Sequence, residues 1–163
     1  MFSGSWYYIY RTSGTPASSV FSGRGSQADP ARALHADVYH VFLRKGGPAS
    51  WDGQRLQASP KGVLVQRGYV VANLLRERGF DVRESTGSAP DALRQLAAGM
   101  FDVAVLQEAL SERLLRTDDA LSGRVFKASP TSVPYAVLPM YLLVGAPVYA
   151  NDPQRVDAIW STI

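Results

Sequence analysis

No cysteine occurs in the 163 residues. Disulfides and thiolate metal sites are therefore excluded, and an exported and a cytosolic chain stay equally open. No apolar run is long enough to span a bilayer. The first residues, MFSGSWYYIY, lack the basic start and long apolar centre of an intact signal peptide. Neither sign of charge dominates. The formal net charge is +3, and Lys and Arg are scattered rather than clustered. Without a basic stripe interleaved with aromatics, nucleic acid is not an expected partner.

Catalytic hardware is equally sparse. His35 and His40 are the only histidines, and His40 falls in a strand pattern, where a structural or solvent-facing role is expected. No serine sits in a G-x-S-x-G elbow. Gly23-Arg24-Gly25 lacks the strand-to-helix setting of a dinucleotide loop. Asp102, Glu108 and Glu112 are the acids to weigh as an acid pair or a metal site. Asp102 begins a strand, while Glu108 and Glu112 stand four apart on a helix, where solvated surface roles prevail. No catalytic residue, metal or cofactor is expected, and the chain reads as a non-enzyme.

What is present is an apolar fraction of 46%, ordinary for a folded chain and enough for one domain, or one complete lobe plus part of another. The stretch Lys61–Gln107 organises the rest. It reads KGVLVQ, YVVANLLRERG, FDVRES, PDALRQLAAG, FDVAVLQ: strand, helix, strand, helix, strand. Each helical pattern closes on a glycine, Gly79 or Gly99, as a left-handed cap would. The alternation predicts an α/β fold: a parallel-stranded sheet flanked by helices and joined by right-handed crossovers. Val63, Leu64 and Val65 in a row suit a strand covered on both faces. Val70, Val71, Leu74 and Leu75 mark one buried helix stripe, and Ala92, Leu93, Leu96 and Ala97 another. Ser88, Pro90 and Asp91 form the start signal of the second helix. The third strand ends in polar residues at its carboxyl edge, where open parallel sheets usually bind ligands.

Around this unit, Trp6–Arg11 reads as a partly buried strand and Thr12–Ala28 as a loop. Asp29–Leu34 reads as a short helical turn. Val38–Lys45 is a strand whose residues Tyr39, Val41, Leu43 and Lys45 are expected to face the core. Trp51-Asp52-Gly53 is a turn. Glu108–Arg116 is expected to be helical with Leu110, Leu114 and Leu115 buried, and Arg124–Ala128 to be a strand. In Val133–Val144, Pro134 and Pro139 exclude an unbroken central strand and point to a crossover or hinge. The last segment starts with Asn151 or Asp152 as cap and Pro153 in the first turn, with Val156, Ile159, Trp160 and Ile163 on one face.

Three motifs in order carry a family resemblance: Lys61-Gly62 with the strand-Gly68-helix segment, ALRQLAAG followed by FDVAV, and PMYLLVGAPVYANDPQRVDAIWSTI. Preceded by YHVFLRKGG, they resemble periplasmic solute-binding proteins of family 3, over roughly residues 38–163. The resemblance implies a type 2 periplasmic-binding-protein fold, with one complete lobe and part of the other. Residues 1–59 would be a partial first lobe and hinge strand, 60–133 the second lobe, and 134–163 the hinge return and a first-lobe helix. Only 37 residues precede Val38, so a truncated member is expected, and self-association through the incomplete lobe with it.

The resemblance further implies binding of a small polar organic solute, amino-acid-like or a carboxylate, in an interlobe cleft. Delivery would be to an ABC transporter permease from the periplasm. Ligand-binding residues are then Arg67, Gly68 and Tyr69 at the opening of the first helix, and Gln107 with Glu108 after the third strand. Two departures bear on the ligand. Tyr69 stands where the family has Ser or Thr, and Gln107 stands where its amino-acid binders place Asp, so charge for an ammonium group is missing there. Tyr135 or Tyr141 is either a stacking residue at the hinge or packed core. The alternatives are a ligand-sensing domain of a receptor or regulator, and a small-acid lyase on the same scaffold.

Overall fold

The structure, a computed structural model, describes residues 19–21, 23–24, 27–28, 30–85, 87–128 and 133–163, with side chains from residue 31 onward. In chain order the elements are β1 (Ser19–Phe21), β2 (Gly23–Arg24), β3 (Gln27–Ala28), a 3₁₀ turn (Pro30–Arg32), β4 (His35–Arg44), β5 (Ser50–Trp51), β6 (Leu56–Gln57) and β7 (Val63–Gln66). There follow α1 (Val71–Glu77), β8 (Val82–Ser85), α2 (Ala89–Ala97), β9 (Val103–Gln107), α3 (Glu108–Thr117) and β10 (Val125–Lys127). The chain ends with β11 (Ala136–Met140), β12 (Leu143–Gly145), α4 (Ala146–Asn151) and α5 (Pro153–Ser161). Two units divide it, residues 38–137 and residues 1–37 with 138–163.

In the unit 38–137 the strand order is β10-β4-β9-β7-β8, and β11 also pairs with β4. The pairs β7–β8 and β7–β9 are parallel, as the strand-helix alternation predicts. β4 runs against β9 and β10, which gives a mostly parallel sheet with one reversed strand inside it. One face carries Phe42, Leu64, Ala104 and Leu106 against Ala92, Leu93 and Leu96 of α2, with Leu114 and Leu115 of α3 beside them. Strand residues of the opposite parity, Val41, Val63, Val65, Val103 and Val105, are buried as well, and α1 lies on β7 and β8. Burial of each such side chain stabilises by roughly 1.5–3 kcal/mol.

The helix boundaries follow their local chemistry. Asp91 accepts from the Ser88 N–H at 2.9 Å and from its hydroxyl at 3.1 Å, closing the start of α2. Gly79 and Gly99 take φ of 83° and 76° where α1 and α2 stop.

Several local expectations differ. The alternation along β4 does not set one wet face: His40 and Phe42 are as buried as Tyr39 and Val41, because the sheet is covered on both sides. In α3 the fully buried residue is Ser111, while Leu110 is exposed. The turn at Trp51 is a hairpin, β5 against β6, closed by Asp52, which accepts from the N–H groups of Gln54 and Arg55. Strands β1, β2 and β3 fall within the stretch read as a loop, while Trp6–Arg11 lies outside the described residues.

In the other unit β1 pairs antiparallel with β12, and β2 with β3. Val144, Val156 and Trp160 form a small core. The Trp160 indole N–H donates to the Leu142 carbonyl at 3.1 Å, and the ring stacks on Tyr149. Asp152 is the cap of α5, accepting from the Arg155 N–H. Ile159 and Ile163, expected on the buried face, are exposed. The short helix α4 was not read from the sequence, although Pro147 fits a first helical turn.

Candidate functional site

The carboxyl ends of β7, β8 and β9 lie side by side, since β7 pairs in parallel with both neighbours. Their last residues are Gln66, Ser85 and Gln107. Strands covered on both faces are apolar within, so polar side chains appear where the strands end. Loops and helix starts gather at this edge, the usual ligand edge of an open α/β sheet.

After Gln66 the chain turns through Arg67 and Gly68 toward α1. Gly68 has φ of 81°, a left-handed conformation that costs a residue bearing a Cβ roughly 1–2 kcal/mol. That turn presents Tyr69, whose ring meets Tyr39 edge-on at 6.4 Å and 78°. Tyr39 stands opposite Gln107, and its carbonyl accepts from the Tyr135 N–H at 2.8 Å. Extending the β7–β9 register from Val65 and Val105 brings Arg67 level with Gln107. Arg67, Gly68, Tyr69 and Gln107 thus share one edge. Arg67 is exposed there.

Glu108 belongs to a different constellation. Its carboxylate accepts from Lys127 Nζ at 2.9 Å and lies 3.1 Å from Nε2 of the buried His40. Lys127 also donates to Glu112, one turn along α3. Burial pushes the His40 imidazole below its ordinary range, with Glu108 opposing and Lys127 assisting. The hydrogen bond to Lys127 holds Glu112 down and, reciprocally, raises Lys127. Glu108 is therefore engaged by Lys127 and stands near His40, half-buried at the start of α3, although it directly follows Gln107 in sequence. Asp102 lies at the other end of β9, bonded to Arg44, so Asp102, Glu108 and Glu112 do not converge on one point.

A second carboxylate stands beside the edge. Glu84 is held below the usual carboxylate range, first by its hydrogen bond to Arg76 and further by Arg67 and the Gly68 N–H. Tyr135 is buried, 5.6 Å from the Trp51 ring, with the Arg78 guanidinium 4.9 Å over its own ring. Among the described residues, the Tyr135 hydroxyl and the Trp51 indole N–H are buried without a hydrogen-bond partner. Tyr141 stands half-buried between β11 and β12. Tyr39, Glu84 and Arg78 were not singled out from sequence. Their part depends on which strands pair, and nothing local in the sequence encodes that.

No family model and no curated protein sequence matches the chain. Solved structures do. The sensor domain of a histidine kinase with similarity to periplasmic binding proteins is similar at 18% identity and a TM-score of 0.51, over 78% of this chain and 60% of that one. The periplasmic domain of BvgS from B. pertussis is similar at 15% identity and a TM-score of 0.56, over 86% of this chain and 24% of that one. EhuB, solved in complex with hydroxyectoine, is similar at 20% identity and a TM-score of 0.53, over 69% of this chain and 44% of that one. The fold is periplasmic-binding-protein-like, as the resemblance implied. The chain spans between about a quarter and three fifths of the length of these proteins. Among the described residues no helix is long and apolar enough to cross a membrane.

Proposed function

We propose that the chain binds a small polar organic solute bearing a carboxylate, at the carboxyl edge of β7 and β9. Arg67 and the Gly68–Tyr69 turn receive the carboxylate, and Gln107 hydrogen-bonds the remaining polar groups. The observation that supports this reading is the parallel β7–β9 pairing, whose register, continued past Val65 and Val105, leaves Arg67 in the turn after β7 near the end of β9 at Gln107. The fold supports it, since structures sharing it include a binding protein holding hydroxyectoine and a kinase sensor domain. With Glu108 bonded to Lys127 and close to His40, it is not available to charge-pair with an ammonium group beside Gln107. A carboxylate without a free α-ammonium group is favoured over a free amino acid.

In this reading residues 60–133 are the second lobe and the chain acts in the periplasm, delivering its solute to an ABC permease. The kinase sensor domain among the similar structures supports a second reading, in which the same site feeds a receptor. Calorimetric titration with a panel of small carboxylates tests the shared part. Binding that Arg67→Ala abolishes supports it, and a panel with no binder sinks it. Co-purification of a permease or of a receptor kinase separates the two uses.

A further inference from the structure

We propose a second site, for a multiply charged oxyanion of the phosphate class, at the opposite, amino edge of the same sheet. An open hollow of about 320 Å³ lies there, lined by Arg44, Lys45 and Arg124 with the end of α2 at Ala97, Ala98 and Gly99. None of these residues belongs to the carboxyl edge.

The charge around this hollow is unbalanced. The acid bonded to its lining, at Arg44, is Asp102, which is buried. Its Oδ1 accepts from Arg44 Nε at 2.8 Å and Arg44 Nη2 at 2.5 Å, and Lys61 Nζ stands 3.4 Å away. One carboxylate is thus shared by two cations. Lys45 and Arg124 have neither an ion pair nor a side-chain hydrogen bond among the described residues. They are also opposite one another. The register Val125 to Arg44 carries Arg124 to Lys45, whose N–H donates to the Arg124 carbonyl at 2.7 Å. Like charges directly opposite on antiparallel strands repel.

The carboxyl end of α2 attracts cations, and Lys61 Nζ bonds the Gly99 carbonyl at 2.7 Å. A helix end contributes only about half a negative charge. Against Arg44, Lys45, Lys61 and Arg124, that half charge and Asp102 leave roughly two and a half positive charges unmatched. A dianion supplies most of the difference. Arg124 offers paired N–H donors, Arg44 keeps its Nη1 group outside the bonds to Asp102, and a lysine adds a point charge, a donor set suited to phosphoryl oxygens. The hollow is larger than a lone phosphate, so a free phosphate and a phosphate monoester are both admitted.

The test is titration calorimetry with inorganic phosphate and with glycerol phosphate, at fixed ionic strength in chloride. It compares the wild type, Arg67→Ala, the double variant Lys45→Gln/Arg124→Gln and each single variant. Both wild type and Arg67→Ala should bind, the double variant should lose at least tenfold in affinity, and each single variant should lose part of it. Tighter binding of one probe identifies the source of the phosphoryl group. Absence of binding to the wild type, unchanged affinity in the folded variants, or loss in Arg67→Ala instead would overturn the proposal. If the double variant does not fold, the single variants decide on the same criterion. The carboxylate response at Arg67 is read separately, so either site can fail alone.

Discussion

The two edges of one sheet differ in how their charges are spent. At the amino edge the buried Asp102 is bonded to Arg44 and faced by Lys61, so a carboxylate taken out of water is tied to cations that reach it from the surface. At the carboxyl edge Arg67 is exposed and, among the described residues, has only the longer-range influence of Glu84, itself bonded to Arg76. The comparison teaches that charge serves the two edges differently. Removing one partner of a buried pair strands a charge, whereas an exposed arginine can be removed with little structural consequence.

The largest effect should come from breaking the amino edge. Asp102→Ala leaves Arg44 without its anion and should cost about 3–5 kcal/mol in chemical denaturation. The pH response should agree. Burial raises the Asp102 pKa, but the bonds from Arg44 and the Ser59 hydroxyl outweigh it, and the net shift is downward. The carboxylate therefore stabilises the fold above its ordinary value of 3.8, and that stability is lost as pH falls below it. Melting curves of the wild type between pH 5 and about 2 should fall more steeply than those of Asp102→Asn.

Next in size, Arg67→Ala should weaken carboxylate binding by roughly tenfold or more while leaving the melting temperature of the free protein nearly unchanged. Loss of folding stability instead would erase the contrast between the edges.

His40 sharpens the comparison from inside the sheet. Its pKa is lowered, chiefly by burial, so the neutral imidazole is the folded form. Stability should be full above pH 6.5, its ordinary value, and decline as pH falls through the lowered one. Thermal melts of His40→Gln should show a flatter response between pH 7 and 5. An unaltered slope would remove His40 from the account.

The smallest effect belongs to Glu84→Gln. Removing this carboxylate from beside Arg67 and the Gly68 N–H should tighten anion binding about twofold, since exposed charges interact weakly. Weaker binding in that variant would mean that Glu84 helps to hold the solute.

Much of the sheet was legible because period and punctuation agree along Lys61–Gln107. The apolar triplet Val63–Val65, the stripe Ala92–Leu96 and the left-handed glycines are local signals, and each element formed where they stand. At β4 the same method misled. Alternating Tyr39, Val41 and Leu43 suggested one wet face, yet Phe42 packs against Ala104 and Leu106 because helices cover both sides. Ile159 and Ile163 fit a helical stripe by spacing but are exposed, since their unit has a small core centred on Trp160.

The site divides in the same way. Arg67, Gly68 and Tyr69 were legible as a strand-to-helix turn, and Gln107 as the polar end of a strand. That Glu108 bonds Lys127 and stands near His40 was not, because these partners come from β10 and β4, strands distant from it in sequence.

By itself, then, the sequence determined the alternation of strand and helix, where the helices stop, and the polar ends of the strands. These rest on interactions within a few residues, which a linear reading contains. Only the tertiary structure decided that β4 enters the sheet reversed between β9 and β10, that Tyr39 meets Tyr69, and that Lys45 and Arg124 pair in the lining of one hollow. Those pairings join residues up to about eighty positions apart, and they are fixed by which faces can be buried together rather than by any local preference.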